Sequence, residues 1–181
     1  MGKDNVKFVD NVILDRDIFI LYKKLIESNV WDLARASSGS EVGMFPGFVV
    51  RDNYNQVYNY YWDGYFQCLY ERINQKFFEK YNYYLPKDIM RVHLGAKNEN
   101  SKPELHTDSN ESGYHTILGF LTPQWSKTWG GNIQVEENTI NYEPGKFLIF
   151  KSNEIHNGEG PNQPIPYWRI SVNYMIKDKD Q

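Results

Sequence analysis

Apolar positions recur at two different spacings along this chain, and the change falls near residue 88. In "DRDIFILYKKLIES" the apolar residues Ile18, Ile20, Leu21 and Leu25 fit a helix, with Asp15 available as its N-cap. "NQVYNYYWDGYFQCLYERINQKFFEKYN" predicts a longer helix carrying Val57, Tyr61, Tyr65, Cys68, Leu69, Ile73 and Phe77 on one face. Between them "ASSGSEVGMFPGF" is rich in Gly and Ser and reads as a loop; long loops in compact domains often bind or cover a site. Beyond residue 88 the period drops to two. "IMRVHLGA" alternates Met90, Val92 and Leu94 with Arg91 and His93. "YHTILGFLT" predicts a strand, "NIQVEENTINY" a hairpin, and "EPGKFLIFK" a Pro-Gly turn running into a strand. Helices first and short strands later make an α+β protein whose strands form a sandwich or barrel.

The last strand says most. In "YWRISVNYMI" Trp168, Ile170, Val172, Tyr174 and Ile176 fall on one face, and Arg169, Ser171 and Asn173 on the other. If helices cover the apolar face, the polar face points inward, and a buried arginine there needs an anionic partner.

Composition narrows the class. The chain has 181 residues, 40% of them hydrophobic and 24% charged, which suits one soluble domain with a sizeable core. No repeat or low-complexity linker divides it, so one domain spanning 1–181 is expected. Its net charge of −3 offers no general basic field for nucleic acid. Cys68 is the only cysteine, so neither an internal disulfide nor a cysteine-based zinc site can form. The first residues carry no secretory pattern, Val6 stands where a myristoylation motif wants Ser or Thr, and no apolar run has the length of a membrane span. A reducing, cytoplasmic location is therefore expected. Asn110-Glu111-Ser112 is a glycosylation sequon only in form.

Within "PELHTDSN", His106 and Asp108 stand two apart, and in an extended segment such residues share a face. Alone the pair is weak, and a polar loop explains it as well. His156, just after the strand "KFLIF", can close a third corner. Two imidazoles and a carboxylate on one face of an ion leave the opposite face open, an arrangement suited to non-haem Fe(II). Arg169 can grip a carboxylate bidentately, and Ser171, on the same face, can add a hydrogen bond.

His-x-Asp, a distant His and then Arg-x-Ser resembles the Fe(II)- and 2-oxoglutarate-dependent oxygenases. "LGFLTPQWSKTWGG" and "YEPGKFLIFKSNEIHNG" are similar to that family's strand–turn–Trp–Gly-Gly and Pro-Gly–strand–His segments. The nearest branch is the prolyl-4-hydroxylase-like group, including small bacterial and phage members. The resemblance covers roughly residues 89–176. It implies a double-stranded β-helix (jelly roll) at 89–176, with the mainly helical 11–88 packed on one outer face of the sheet. It also implies His106, Asp108 and His156 as iron ligands, and 2-oxoglutarate, held by Arg169 and Ser171, as co-substrate with O2. The reaction would hydroxylate an unactivated C–H bond of a peptide side chain or small molecule and release succinate and CO2. Apolar walls such as Leu118, Phe120 and Leu148 would keep water out.

The chain departs from the branch in four places, the first being a slightly long His156-to-Arg169 gap in which "PNQPIP" lengthens a turn. Arg169 stands where much of it uses Lys. "KNENSKPE" lengthens the approach to His106. "RVHLG" replaces a segment that often holds a Tyr against 2-oxoglutarate, which makes His93 and Arg91 the candidates for that contact. Arg91 is equally suited to pair with a core carboxylate. His115 reads as structural, Trp125 and Trp129 as packing residues, and Gly130-Gly131 as a turn. Substrate determinants are expected in segments 37–53 and 98–104 and around Trp125–Trp129. Two other functions share these features: a cupin-like metal enzyme that uses no 2-oxoglutarate, and a non-catalytic binding module on the same fold.

Overall fold

The computed structural model describes residues 5–34, 45–99, 101 and 104–178. Its larger sheet has seven strands: β1 (Lys7–Val9), β2 (Asp32–Ala34), β3 (Phe45–Arg51), β4 (Asp88–Lys97), β5 (Tyr114–Phe120), β8 (Phe147–Lys151) and β10 (Arg169–Lys177). Their order is β1-β8-β5-β10-β4-β3-β2, and every pairing is antiparallel. The smaller sheet is β7-β6-β9, from β6 (Ile133–Val135), β7 (Asn138–Ile140) and β9 (His156–Gly158). The predicted hairpin is β6–β7, and the predicted Pro-Gly turn closes through Lys146 N–H to Glu143 O at 3.1 Å, with Gly145 at φ 75°.

Two hydrophobic layers hold these elements. Alternation on β10 sends Ile170, Val172, Tyr174 and Ile176 outward, where they join Val92 and Leu94 of β4 beneath the helices. Helix α1 (Asp15–Glu27) buries Ile18, Leu21 and Leu25 there, and helix α2 (Tyr60–Tyr81) buries Phe66, Ile73 and Phe77. Between the sheets a second layer joins Leu118, Phe120, Leu148 and Phe150 to Ile133, Val135 and Tyr142. Two facing antiparallel sheets with helices on one outer face are the expected double-stranded β-helix. No helix among the described residues is long and apolar enough to cross a membrane.

Local details differ from the pattern-based reading. Leu14, not Asp15, is the N-cap of α1, and Asp15 and Asp17 place negative charge in its first turn instead. Helix α2 begins later than its periodicity suggests. Asp52 Oδ1 accepts from Tyr54 N–H (2.9 Å) and Gln56 N–H (3.0 Å), which fixes a tight loop ahead of it. Asn59 then caps the helix through Trp62 N–H at 3.1 Å, and Asn82, at φ 59°, ends it. The buried face turns on Trp62 and Phe66, so Tyr61 and Cys68 are exposed and Val57 precedes the helix. Residues 45–48, expected in a loop, form the first part of β3, because Gly47, Phe48, Val49 and Arg51 pair with β4. A buried, two-point Arg51–Asp63 ion pair (2.9 and 2.7 Å) fastens β3 to α2. Residues 36–44 of that expected loop lie outside the described residues.

Gly119 of β5 lies under the Phe147 ring, so that a Cβ there would come within 2.2 Å of it. Overpacking of this kind costs about 1–3 kcal/mol. Gly119→Ala is expected to lower the melting temperature by about 3–10 °C, read by circular dichroism. An unchanged melting temperature would mean that Phe147 swings aside freely.

Candidate metal and anion site

Two extended segments zip together at the open end between the sheets. His106 N–H donates to His156 O at 3.0 Å, and His156 N–H returns to His106 O at 2.9 Å. Asp108 N–H donates to Ser152 O at 2.9 Å. The three side chains converge: one nitrogen or oxygen from each of His106, Asp108 and His156 lies within 4.8 Å of the other two.

The hydrogen bonds around them select the ligand atoms. His106 Nδ1 is 3.0 Å from Glu104 O, and His156 Nδ1 is 2.9 Å from Glu154 O. A carbonyl only accepts, so each Nδ1 carries the proton and each Nε2 keeps its lone pair. This anchoring of the far nitrogen is what orients metal-binding histidines. Asp108 Oδ2 accepts from Thr116 Oγ1 (2.7 Å) and Asn173 Nδ2 (3.1 Å), and Arg91 Nη2 is hydrogen-bonded to Oδ1. Burial would raise the Asp108 carboxyl; the neighbouring His156 and the Arg91 charge outweigh it and hold it well below the usual carboxylate range. Burial also lowers His106, favouring its neutral, ligand-competent form. The set contains nitrogen and oxygen donors and no sulfur, which suits Fe(II).

The triad opens on a cavity of about 910 Å³, within the range of small-molecule sites. Its floor is the inward face of β4 and β10, where register pairs Lys97 with Arg169, Gly95 with Ser171 and His93 with Asn173. Arg169 is fully buried. Its Nε donates to Gly131 O at 2.8 Å, and its guanidinium lies 4.7 Å from the Tyr142 ring and 5.8 Å from that of Phe120. The Tyr142 hydroxyl donates to Ile170 O (2.7 Å), and Trp125 packs on the Tyr142 ring at 4.4 Å. Gly130 and Gly131, at φ 69° and 72°, form the turn against this cage, where a Cβ on Gly131 would come within 2.5 Å of Trp125 and 3.2 Å of Arg169. Arg169 Nη2 is buried with no hydrogen-bond partner. Burial lowers the Arg169 pKa to about 10, so the group stays charged at neutral pH.

The structure thus brings His106, Asp108, His156, Arg169, Ser171 and His93 to one cavity. Arg91 lines it too, but its guanidinium is engaged by Asp108 and by Asn173 Oδ1 (3.0 Å). His115 faces Asp178 at 3.2 Å and takes no part. Leu118 lines the cavity, whereas Phe120 and Leu148 pack in the second layer behind it. Trp125 and Trp129 pack on each other and do not line it. Of the expected substrate segments, Gly47, Phe48, Val49, Asp52 and Glu104 reach the cavity, while residues 100, 102 and 103 lie outside the described ones. Sequence reading missed Lys97 and Thr116. The alternation that placed Arg91 and His93 inward also reaches Lys97, four residues past His93 on the same strand.

Solved structures share this architecture. A prolyl-4-hydroxylase from Pseudomonas putida superposes with a TM-score of 0.63 at 14% identity, over 97% of this chain and 94% of that one. An oxidoreductase of the 2OG-Fe(II) oxygenase family from Burkholderia pseudomallei gives 0.67 at 12% identity, over 96% and 85%. The fold is that of the Fe(II)/2-oxoglutarate oxygenases. A prolyl hydroxylase from Trichoplax adhaerens, solved with a hypoxia inducible factor peptide fragment, shares this oxygenase fold at 0.62 and 15% identity, over 97% and 84%. No protein-family profile and no curated protein sequence matches the chain.

On the cavity floor of this oxygenase fold, burial first, and then the Arg91 charge, push His93 down to about 4 from its ordinary 6.5. The unfolded chain therefore takes up a proton near pH 6.5 that the folded chain takes up only near 4, so stability falls as pH drops through that window. His93→Gln is expected to lose less stability than wild type between pH 6.5 and pH 4, read from urea midpoints. Parallel losses in the two proteins would show that His93 titrates as an ordinary histidine.

Proposed function

We propose that this chain is an Fe(II)- and 2-oxoglutarate-dependent dioxygenase. It hydroxylates an unactivated C–H bond of a peptide side chain, of prolyl type, or of a small molecule. His106 and His156, through Nε2, and the Asp108 carboxylate would hold the iron, with Arg91, Thr116 and Asn173 fixing that carboxylate. Arg169 would bind the far carboxylate of 2-oxoglutarate, and Ser171 would add a hydrogen bond. His93, neutral at pH 7, sits on the same floor. When bound, the metal and oxo acid supply oxygen activation coupled to decarboxylation, ending in succinate, CO2 and a hydroxylated product. The whole chain acts as one domain, with 11–88 supporting the catalytic core at 89–176.

The observation that carries this reading is the unsatisfied Nη2 of a fully buried arginine in the cavity that also holds the His/Asp/His cluster. A buried guanidinium with an open N–H is costly until an anion arrives. A jelly-roll metal site that used no oxo acid would gain nothing from it. The oxygenase architecture of the solved neighbours adds support, and the peptide bound to the Trichoplax hydroxylase motivates the peptide option.

Anaerobic addition of 2-oxoglutarate to the Fe(II)-loaded protein is expected to raise a visible charge-transfer absorption. His106→Ala should abolish it. Arg169→Met should shift its midpoint to about 10- to 100-fold more 2-oxoglutarate, the scale of a lost charge-assisted contact. Bound iron with no absorption at any 2-oxoglutarate concentration would favour the cupin-like reading.

A further inference from the structure

Beside Arg169 the cavity floor carries a second cation. Register sets Lys97 of β4 opposite Arg169 of β10, and alternation turns both side chains inward. Both are buried, at 9% and 0% exposure. Their charged ends converge on one spot, because a Cβ on Gly158 would lie 3.4 Å from Lys97 Nζ and 3.5 Å from Arg169 Nη2. Lys97 Nζ also donates to Gly158 O, which fixes the ammonium beside the guanidinium. Ile133 Cδ1, 2.9 Å from the same Cβ, bounds this spot on another side. Burial, and then the Arg169 charge, lower Lys97 to about 7.

Resting on the function proposed above, we propose that Lys97 is the second half of the co-substrate's carboxylate seat. Arg169 Nη2 takes one oxygen of the distal carboxylate and Lys97 Nζ takes the other. A planar guanidinium and a compact ammonium approaching from neighbouring strands fit the two oxygens of one carboxylate. The seat therefore selects oxo acids that end in a second carboxylate over oxo acids of similar length that end in a methyl group.

The test measures binding rather than turnover. Protein loaded with Zn(II), a diamagnetic stand-in for Fe(II), is titrated calorimetrically with 2-oxoglutarate and with 2-oxopentanoate, which lacks the second carboxylate. Lys97→Met and Lys97→Gln are expected to weaken 2-oxoglutarate by about 10- to 100-fold and to leave 2-oxopentanoate and the metal affinity unchanged. In wild type labelled at lysine, the Lys97 Nζ resonance should shift with 2-oxoglutarate and stay put with 2-oxopentanoate, a readout that depends on no variant's folding. Equal weakening of both acids, or an unmoved Nζ resonance, would reduce Lys97 to a support for Gly158 and β9. If Arg169→Met loses 2-oxoglutarate while the Lys97 variants keep it, the role of Lys97 falls and the oxygenase reading stands. If wild type binds metal but no 2-oxoglutarate, both fall.

Discussion

The site depends on one pairing of backbones. The segment holding His106 and Asp108 is not part of either sheet; it is fastened to the chain that follows β8 by the reciprocal His106–His156 hydrogen bonds and by Asp108 N–H to Ser152 O. Those bonds bring two ligand-bearing segments, far apart in sequence, into one register. Each imidazole then bonds a backbone carbonyl two residues back, so the same local geometry that sets the register also sets the tautomer. Asp108 is steered from three directions, by Arg91 of β4, Thr116 of β5 and Asn173 of β10. The large sheet thus aims the carboxylate, and the crossing segments aim the histidines.

The Arg169 end of the cavity is built on another principle. No carboxylate side chain meets Arg169 among the described hydrogen bonds; aromatic rings and one carbonyl hold it. Tyr142, itself tied to Thr122 and Ile170, cannot turn away, and Trp125 braces it from behind. The guanidinium is thereby held in place by the protein itself.

Much of this was readable from residue order because it follows from alternation. The inward Arg169, Ser171 and Asn173, the outward apolar face of β10 and the Pro-Gly turn before β8 are consequences of a period of two and of one positive φ. The His106, Asp108 and His156 cluster was legible as residue types at a spacing. What escaped depends on partners distant in sequence. Residues 45–51 become a strand only because β4 offers an edge. The inward face of α2 is decided by Trp62 and Phe66 against the sheet rather than by counting tyrosines, whose hydroxyls tolerate exposure. The commitment of Arg91 to Asp108 and the nearness of Lys97 to Arg169 are matters of which strands pair, and no local pattern states that.

The two separate hydrophobic layers bear on how such a protein drifts over evolutionary time. β4, β5 and β10 form a partition: one side answers to the helices, the other to the cavity and the smaller sheet. Exchanges of apolar residues on the helical side alter only what lies beneath the helices, provided volume is kept. A few side chains facing the opposite way line the cavity. A chain organised like this can replace many of its letters while the partition and the crossing segments stay in place.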